Sequence, residues 1–351
     1  MDGAAPEGPP QPSLRRVIAT GGLVALVILA SLTGFLFATG SGPFSAIEPS
    51  LWALEMTEVT KLHERQLNGT GVTVCIVDTG VDLDHPELRH VNLVGWRDYV
   101  NDRAEPYDDE GHGTAMAGII LSRGRLRGVA PAADLIAVKA IGPTGTGTDT
   151  DLANAVTFCV DPDGDGDLAD GADVISLSLG GRPHPLATGS SAAVERAMDA
   201  GVIVVAAAGN DGQADDGDVQ SPASVPRVLA VGAVDRQRTV TPFSSRGSDT
   251  AGRVDPNKKP EVAAPGVGIA TILSGGRYQY VSGTSPASAL VAGIVILLLD
   301  EHPEYRHQAT WLPLLKGAIM SGACGCAGPD VPHDRLMGYG IAKGLATNAL
   351  L

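Results

Sequence analysis

Apolar residues fall into two kinds of block along this chain, and their order predicts strands alternating with helices. Short runs rich in β-branched residues occur at Val72–Val77, Leu135–Val138, Val174–Leu177, Val202–Ala206 and Val228–Val231. Runs of this length with no polar alternation read as strands buried on both faces, as in a parallel sheet. Between and after them, longer stretches at Gly113–Leu121, Thr150–Phe158, Ser191–Asp199 and Ser285–Leu299 predict helices, and Leu51, Leu54, Val59 and Leu62 mark a short one over Leu51–Gln66. The alternation predicts an α/β fold: a mostly parallel central sheet with helices on both faces. Right-handed crossovers bring the carboxyl ends of such strands to one rim, where open sheets place their sites.

One block does not fit that scheme. Val17–Thr39 contains no charged residue and is long enough for the roughly 20 residues that cross a bilayer. It reads as a transmembrane anchor or as the apolar part of a secretory signal, with Phe44-Ser45-Ala46 as a weak cleavage site. Arg15 and Arg16 at its N-terminal end place residues 1–16, a Pro- and Gly-rich tail expected to be disordered, in the cytoplasm. The expected organisation is therefore tail (1–16), membrane helix or signal (17–39), linker (40–50) and one folded domain (51–350). That domain is expected outside the cell, tethered to the membrane or secreted if the segment is cleaved.

Composition narrows the class. The 351 residues are 44% hydrophobic with 45 Gly, enough for one large core with many tight loops. The net charge of -15, with Asp clustered at 161–173 and 211–218, repels phosphate backbones and argues against a nucleic-acid partner. Neither a phosphate-binding Lys-Ser/Thr loop nor a Gly-x-Gly-x-x-Gly turn opening a βαβ unit is present, so a nucleotide site is unsupported. Cys75 reads as a small buried hydrophobe, and Cys324 and Cys326 are too close for a relaxed disulfide.

The candidate chemistry rests on three residues. A serine hydroxyl is a weak nucleophile at neutral pH and needs a base in hydrogen-bond reach, itself held in the correct tautomer by a third group. Ser285 opens an apolar helix, with Pro286 in the first turn where its missing N–H costs nothing. The N–H groups and dipole at that helix start suit developing negative charge. His112 lies between Gly111 and Gly113 at another helix start, and Asp78 ends the first strand. Taken alone, Asp78 reads more readily as a cap or turn acceptor than as a catalytic residue.

Asp78-Thr79-Gly80, His112-Gly113-Thr114 and Gly283-Thr284-Ser285, in that order, resemble the motifs of the subtilisin-like serine proteases, and the resemblance extends over about residues 50–350. Asp82-Leu83-Asp84-His85-Pro86-Glu87-Leu88, Gly128-Val129-Ala130-Pro131, Ser178-Leu179-Gly180 and Ala207-Ala208-Gly209-Asn210 extend it. The resemblance implies a serine endopeptidase in which Asp78 orients His112, His112 takes the proton of Ser285, and Asn210 with the Ser285 N–H holds the oxyanion. It further implies that an extended peptide substrate pairs with Ser178, Leu179 and Gly180, and that Leu179, Ala207 and Gly209 bound the pocket beside the cleaved bond. Because the base must be unprotonated, activity is expected at neutral or alkaline pH. An unrelated α/β-hydrolase is disfavoured, since those enzymes run serine, acid, histidine along the chain. A catalytically dead peptide-binding member is the other alternative.

The chain departs from the family pattern in Ala115-Met116-Ala117-Gly118 and in Pro286-Ala287-Ser288-Ala289-Leu290-Val291-Ala292-Gly293, though no triad member is lost. The roughly a dozen residues between the apolar segment and Leu51 are too few for the inhibitory propeptide common in the family, so the domain is expected to fold unaided or with help encoded elsewhere. Asp161, Asp163, Asp165 and Asp167, with Gly166 for the turn, resemble the start of a calcium loop, and Asp170 or Asp173 can complete it in place of the missing Glu. A structural Ca2+ is expected there. Glu87 matches a familial calcium ligand, but the loop facing it is short and carries Arg123, Arg125 and Arg127, so no second ion is expected. Asn68-Gly69-Thr70 is a glycosylation sequon. Nothing in these motifs encodes an oligomeric state.

Overall fold

The computed structural model describes residues 28–29, 47–181, 188–213, 217–249, 251–324 and 333–351. In chain order the elements are β1 (Ile28–Leu29), α1 (Leu51–Met56), α2 (Val59–Glu64), β2 (Thr73–Asp78), β3 (Leu93–Asp98), α3 (His112–Leu121), β4 (Asp134–Lys139), β5 (Thr146–Gly147), α4 (Asp149–Val160), β6 (Val174–Leu177), α5 (Gly189–Asp199), β7 (Ile203–Ala207), β8 (Leu229–Val234), β9 (Val262–Pro265), β10 (Ile269–Leu273), β11 (Arg277–Val281), α6 (Thr284–Glu301), α7 (Leu312–Cys324) and α8 (Gly344–Asn348). Seven strands form the central sheet in the order β3-β4-β2-β6-β7-β8-β9, and every pairing in it is parallel. β10 and β11 make a separate antiparallel hairpin.

Alternate residues of each central strand enter two different cores. Val74 and Ile76 of β2, Leu135 and Ala137 of β4 and Val205 of β7 pack with α3 and α6 on one face. Cys75, Val77, Ile136, Val138 and Val204 pack with α4 and α5 on the other. Covering both faces removes polar alternation from the strands, which is why these segments read as unbroken apolar runs. Two strands of the sheet had no such run. β3 is an edge strand with Gly95, Trp96 and Arg97 partly open to solvent, and β9 is built from small residues and ends in Pro265.

The expected membrane helix is overturned. Among the described residues, the helix long and apolar enough to cross a membrane is α6, Thr284–Glu301, and it is 83% buried inside the α/β domain. Its apolarity has a different cause: it lies across β6, β7, β8 and β9 and is surrounded by protein on nearly every side. Most of residues 17–39 fall outside the described ones. Within that span Ile28–Leu29 pair antiparallel with Thr146–Gly147 of β5, so their backbone partners are strand residues of the domain and not a helix of their own. The fold class is corrected to an α/β domain with no membrane helix preceding it among the described residues, and the membrane partner and the tethered extracellular location that depended on that helix are withdrawn. The tail at 1–16 and the linker as far as residue 46 also lie outside the described residues.

Two further findings refine the sequence reading. Cys75 is buried as expected, but it is bonded to Cys159 of α4 across the second core. Glu87, also buried, is satisfied by the chain itself: its carboxylate accepts from Arg125 N at 2.7 Å, Leu126 N at 3.2 Å and Tyr278 Oη at 3.0 Å. The short Arg123–Arg127 turn thus supplies N–H donors to this carboxylate.

The disulfide closes a loop with a sequence separation of 84 and joins the strand ending in Asp78 to its covering helix. Chain entropy alone gives such a crosslink about 4–5 kcal/mol, and removal of native disulfides typically costs about 2–5 kcal/mol. A Cys75→Ala/Cys159→Ala variant is expected to lose stability in that range, measured as a lower urea midpoint with an unchanged wild-type midpoint as reference.

Candidate active site

Asp78, His112 and Ser285 come from three separate elements. Asp78 is the last residue of β2, His112 the first of α3 and Ser285 the second of α6. β2 and β6 are parallel neighbours with Ile76 opposite Ser176, so their carboxyl ends stand about one strand spacing, roughly 4.8 Å, apart. Ser285 is fixed at the end of β6: its Oγ donates to Ser178 O at 3.0 Å. Ser178 Oγ in turn donates to Ser285 O at 3.2 Å.

The acid and the imidazole are in direct contact. His112 Nδ1 lies 2.8 Å from Asp78 Oδ1 and 2.9 Å from Oδ2, with both side chains buried. A second bond, from Thr79 N to Asp78 Oδ1 at 2.8 Å, holds the carboxylate against its own turn. Burial by itself pushes the imidazole's pKa down, but the combined fields of Asp78, Glu110 and Asp108 outweigh it and raise His112 to about 9.

A polar scaffold around the pair was not apparent from the motifs. Asp108 accepts from Thr79 Oγ1, Glu110 N and Gly111 N on one oxygen and from Thr114 N and Thr114 Oγ1 on the other. It thereby ties the Asp78 turn to the first turn of α3. Gly113 N donates to Thr79 Oγ1 at 2.8 Å, and an added Cβ at Gly113 would lie 2.1 Å from Gly80 O, so the two motifs touch where only glycine fits. Lys139, wholly buried at the end of β4, donates to Thr79 O at 2.6 Å, Asp109 Oδ1 at 2.7 Å and Ile141 O at 2.9 Å. A lone lysine closing an apolar strand one position past the expected Leu135–Val138 run was the available signal.

Asn210 follows β7 and reaches α6. Its Oδ1 accepts from Thr284 N at 2.9 Å and from Thr284 Oγ1 at 3.1 Å, which leaves the amide nitrogen end beside Gly283. Ser178, Leu179 and Gly180 continue from β6, and Ala207 and Gly209 flank the end of β7, the next strand in the sheet. Leu179 and Ala207 are buried there. Gly209 has φ +112° and packs on Gln220 and Ser245, so no side chain fits at that position.

Just past the C-terminal end of α4, carboxylate oxygens of Asp161, Asp163 and Asp170 lie within 4.8 Å of one another and could hold a divalent cation. Burial and then the neighbouring Asp163, Asp165 and Asp161 charges raise the Asp170 carboxyl, the response of crowded like charges. Asp165 and Asp167 are not in the cluster. Each instead accepts a backbone N–H two residues on, Asp167 N at 2.7 Å and Ala169 N at 3.0 Å.

Comparisons agree with this geometry. A profile described as the subtilase family matches residues 69–340. The chain is 38% identical over 268 residues to serine protease AprX of Bacillus subtilis, covering 68% of this chain and 59% of that protein. It is 35% identical over 264 residues to subtilisin E of Bacillus subtilis, covering 73% and 62%. To a thermostable alkaline protease of Halalkalibacterium halodurans it is 33% identical over 288 residues, covering 80% and 72%. The chain thus spans about three fifths of the length of the first two relatives.

Replacing Lys139 by Met keeps the stem and removes the ammonium, leaving two backbone carbonyls and Asp109 without their donor. Buried acceptors left unpaired cost about 1–3 kcal/mol each, and Asp109 can turn to water. Lys139→Met is expected to lose about 2–4 kcal/mol in a urea unfolding measurement.

Proposed function

This chain belongs to the subtilase family, and from that premise we propose that it is a serine endopeptidase acting on extended polypeptide segments through an acyl-enzyme. The observation that carries the reading is the bidentate contact of the buried Asp78 carboxylate with His112 Nδ1, one strand spacing from the end of β6 where Ser285 is held. Asp78 fixes the ring so that Nε2 is the basic nitrogen and supports the imidazolium that forms. His112 takes the proton of Ser285 as Oγ attacks the scissile carbonyl carbon, then gives it to the leaving amine. Water repeats the sequence to release the acyl group. For the first step the Ser285 hydroxyl exchanges its acceptor, leaving Ser178 O for the imidazole.

Oxyanion stabilisation falls to the Asn210 amide nitrogen and the Ser285 N–H. The bond from Thr284 N to Asn210 Oδ1 supports this role, since it anchors the oxygen end and presents the nitrogen as donor. The substrate backbone pairs with Ser178, Leu179 and Gly180, and the adjoining side chain enters between Leu179, Ala207 and Gly209. With only small and aliphatic residues on its walls, that pocket suits apolar side chains. The peptidase domain is taken as 51–350.

Labelling with a fluorophosphonate tests the reading. Mass spectrometry is expected to find the adduct on Ser285 and to find none in Ser285→Ala, while His112→Ala slows both labelling and peptide hydrolysis by about 10²–10⁴, the usual weight of general base catalysis. A folded protein that neither labels nor cleaves would instead be a peptide-binding member.

The ion at Asp161, Asp163 and Asp170 is taken to be Ca2+, because an all-carboxylate oxygen set suits a hard cation. Its role is structural, away from the reacting groups. Calcium is expected to raise the melting temperature by a few degrees, as binding to the folded state alone requires, and Asp161→Asn/Asp163→Asn is expected to lose that rise. An equal rise in the variant would place the ion elsewhere.

A further inference from the structure

Glu110 has no part in the mechanism above, yet its carboxylate is bonded to the histidine's own backbone. Glu110 Oε2 accepts from His112 N at 2.8 Å, and the side chain is partly buried at the lip of the site. We propose that Glu110 is a positioning residue that acts through His112, stabilising the protonated ring and so setting how alkaline the solution must be before the base is available. The proposal rests on His112 being the general base.

A census of the charges facing His112 singles out Glu110. Asp78 comes from β2, Asp108, Asp109 and Glu110 come from the loop before α3, and Lys139 comes from β4. The other elements packed on α3, β10 and the Thr284–Leu299 stretch of α6, bring no ionisable side chain. Asp108 spreads its charge over five donors, and Asp109 is paired with Lys139. Glu110 makes its one described bond to His112, and its charge is not offset by a described cation. Burial raises its own carboxyl, while the imidazolium favours its ionised form, so the two groups hold each other charged. Position strengthens the effect: the N-terminus of a helix disfavours a cationic histidine, and a carboxylate accepting the first-turn N–H counters that field directly.

The sign follows. A protonated His112 cannot accept the Ser285 proton, so kcat/KM falls as pH drops through the imidazole's titration. Removing a carboxylate that favours the cation moves this acid limb to lower pH and raises activity at neutral pH. A partly buried charge at this range is expected to shift the limb by about half a unit, which is about threefold in kcat/KM on the acid side.

The experiment compares pH profiles of kcat/KM on a peptide amide for wild type, Glu110→Gln and Glu105→Gln, the last removing an exposed acid of the same loop. In parallel, NMR titration follows the His112 ring in Ser285→Ala with and without Glu110→Gln. The expected result is a lower limb, a gain at neutral pH and a lower His112 titration for Glu110→Gln alone. An unmoved His112 titration, or an equal shift with Glu105→Gln, overturns the proposal. A loss of packing lowers activity at every pH and produces no gain. Should the wild type neither label nor turn over, the peptidase reading fails, while the ring titration still decides whether Glu110 acts on His112.

Discussion

The contact of one buried carboxylate with one ring nitrogen is the constraint on which this structure depends. Asp78 and His112 lie 34 residues apart, so the fold must bring them together. A buried ion pair is favourable only when geometry and further hydrogen bonds offset the loss of hydration. Here that support comes from Thr79 N on the carboxylate, the Asp108 carboxylate across the two turns, and Lys139 beneath them. Asp108 and Glu110 in the loop before α3 serve this scaffold by accepting backbone N–H groups of its turns. Asp98 does the same for Val100, Asn101 and Arg103.

The parallel sheet determines where these groups meet. With β2 and β6 adjacent, the ends that carry Asp78 and Ser178 are neighbours, and α6 crosses the sheet so that its first turn arrives at the same rim. The tight fit of the covering helices depends on small residues. Gly118 of α3 sits against Thr271 and Ile272, and Gly293 of α6 against Val129, in each case closer than a Cβ would allow. Both glycines lie within the segments that depart from the family pattern, and both helices remain continuous there.

The sequence disclosed the sheet where strands are buried on both faces, because burial on both sides demands unbroken apolar runs. It hid β3, whose outer edge is solvated, and β9, whose residues are small. Glycine-flanked motifs revealed Asp78, His112, Ser285 and Asn210, since close approach of backbones leaves a local signature. Asp108 and Glu110 carry no such signature, since an acid in a polar loop looks like any other, and Lys139 left only the faint signal of a charge closing an apolar run. Hydropathy alone does not separate a helix enclosed by protein from one enclosed by lipid, and α6, the described helix that meets the membrane test, is the former. Cys75 read as a plain hydrophobe because its partner lies on another element, beyond any spacing rule.

That crosslink has a mechanical consequence. The exposed turn at 101–105 and the whole of α3 lie between Cys75 and Cys159, inside the closed covalent ring. A single backbone cut in that turn, such as a peptidase inflicts on its own kind, would leave the severed halves stitched together at the strand that carries Asp78. Nicked molecules would therefore migrate as one species until a reductant is added.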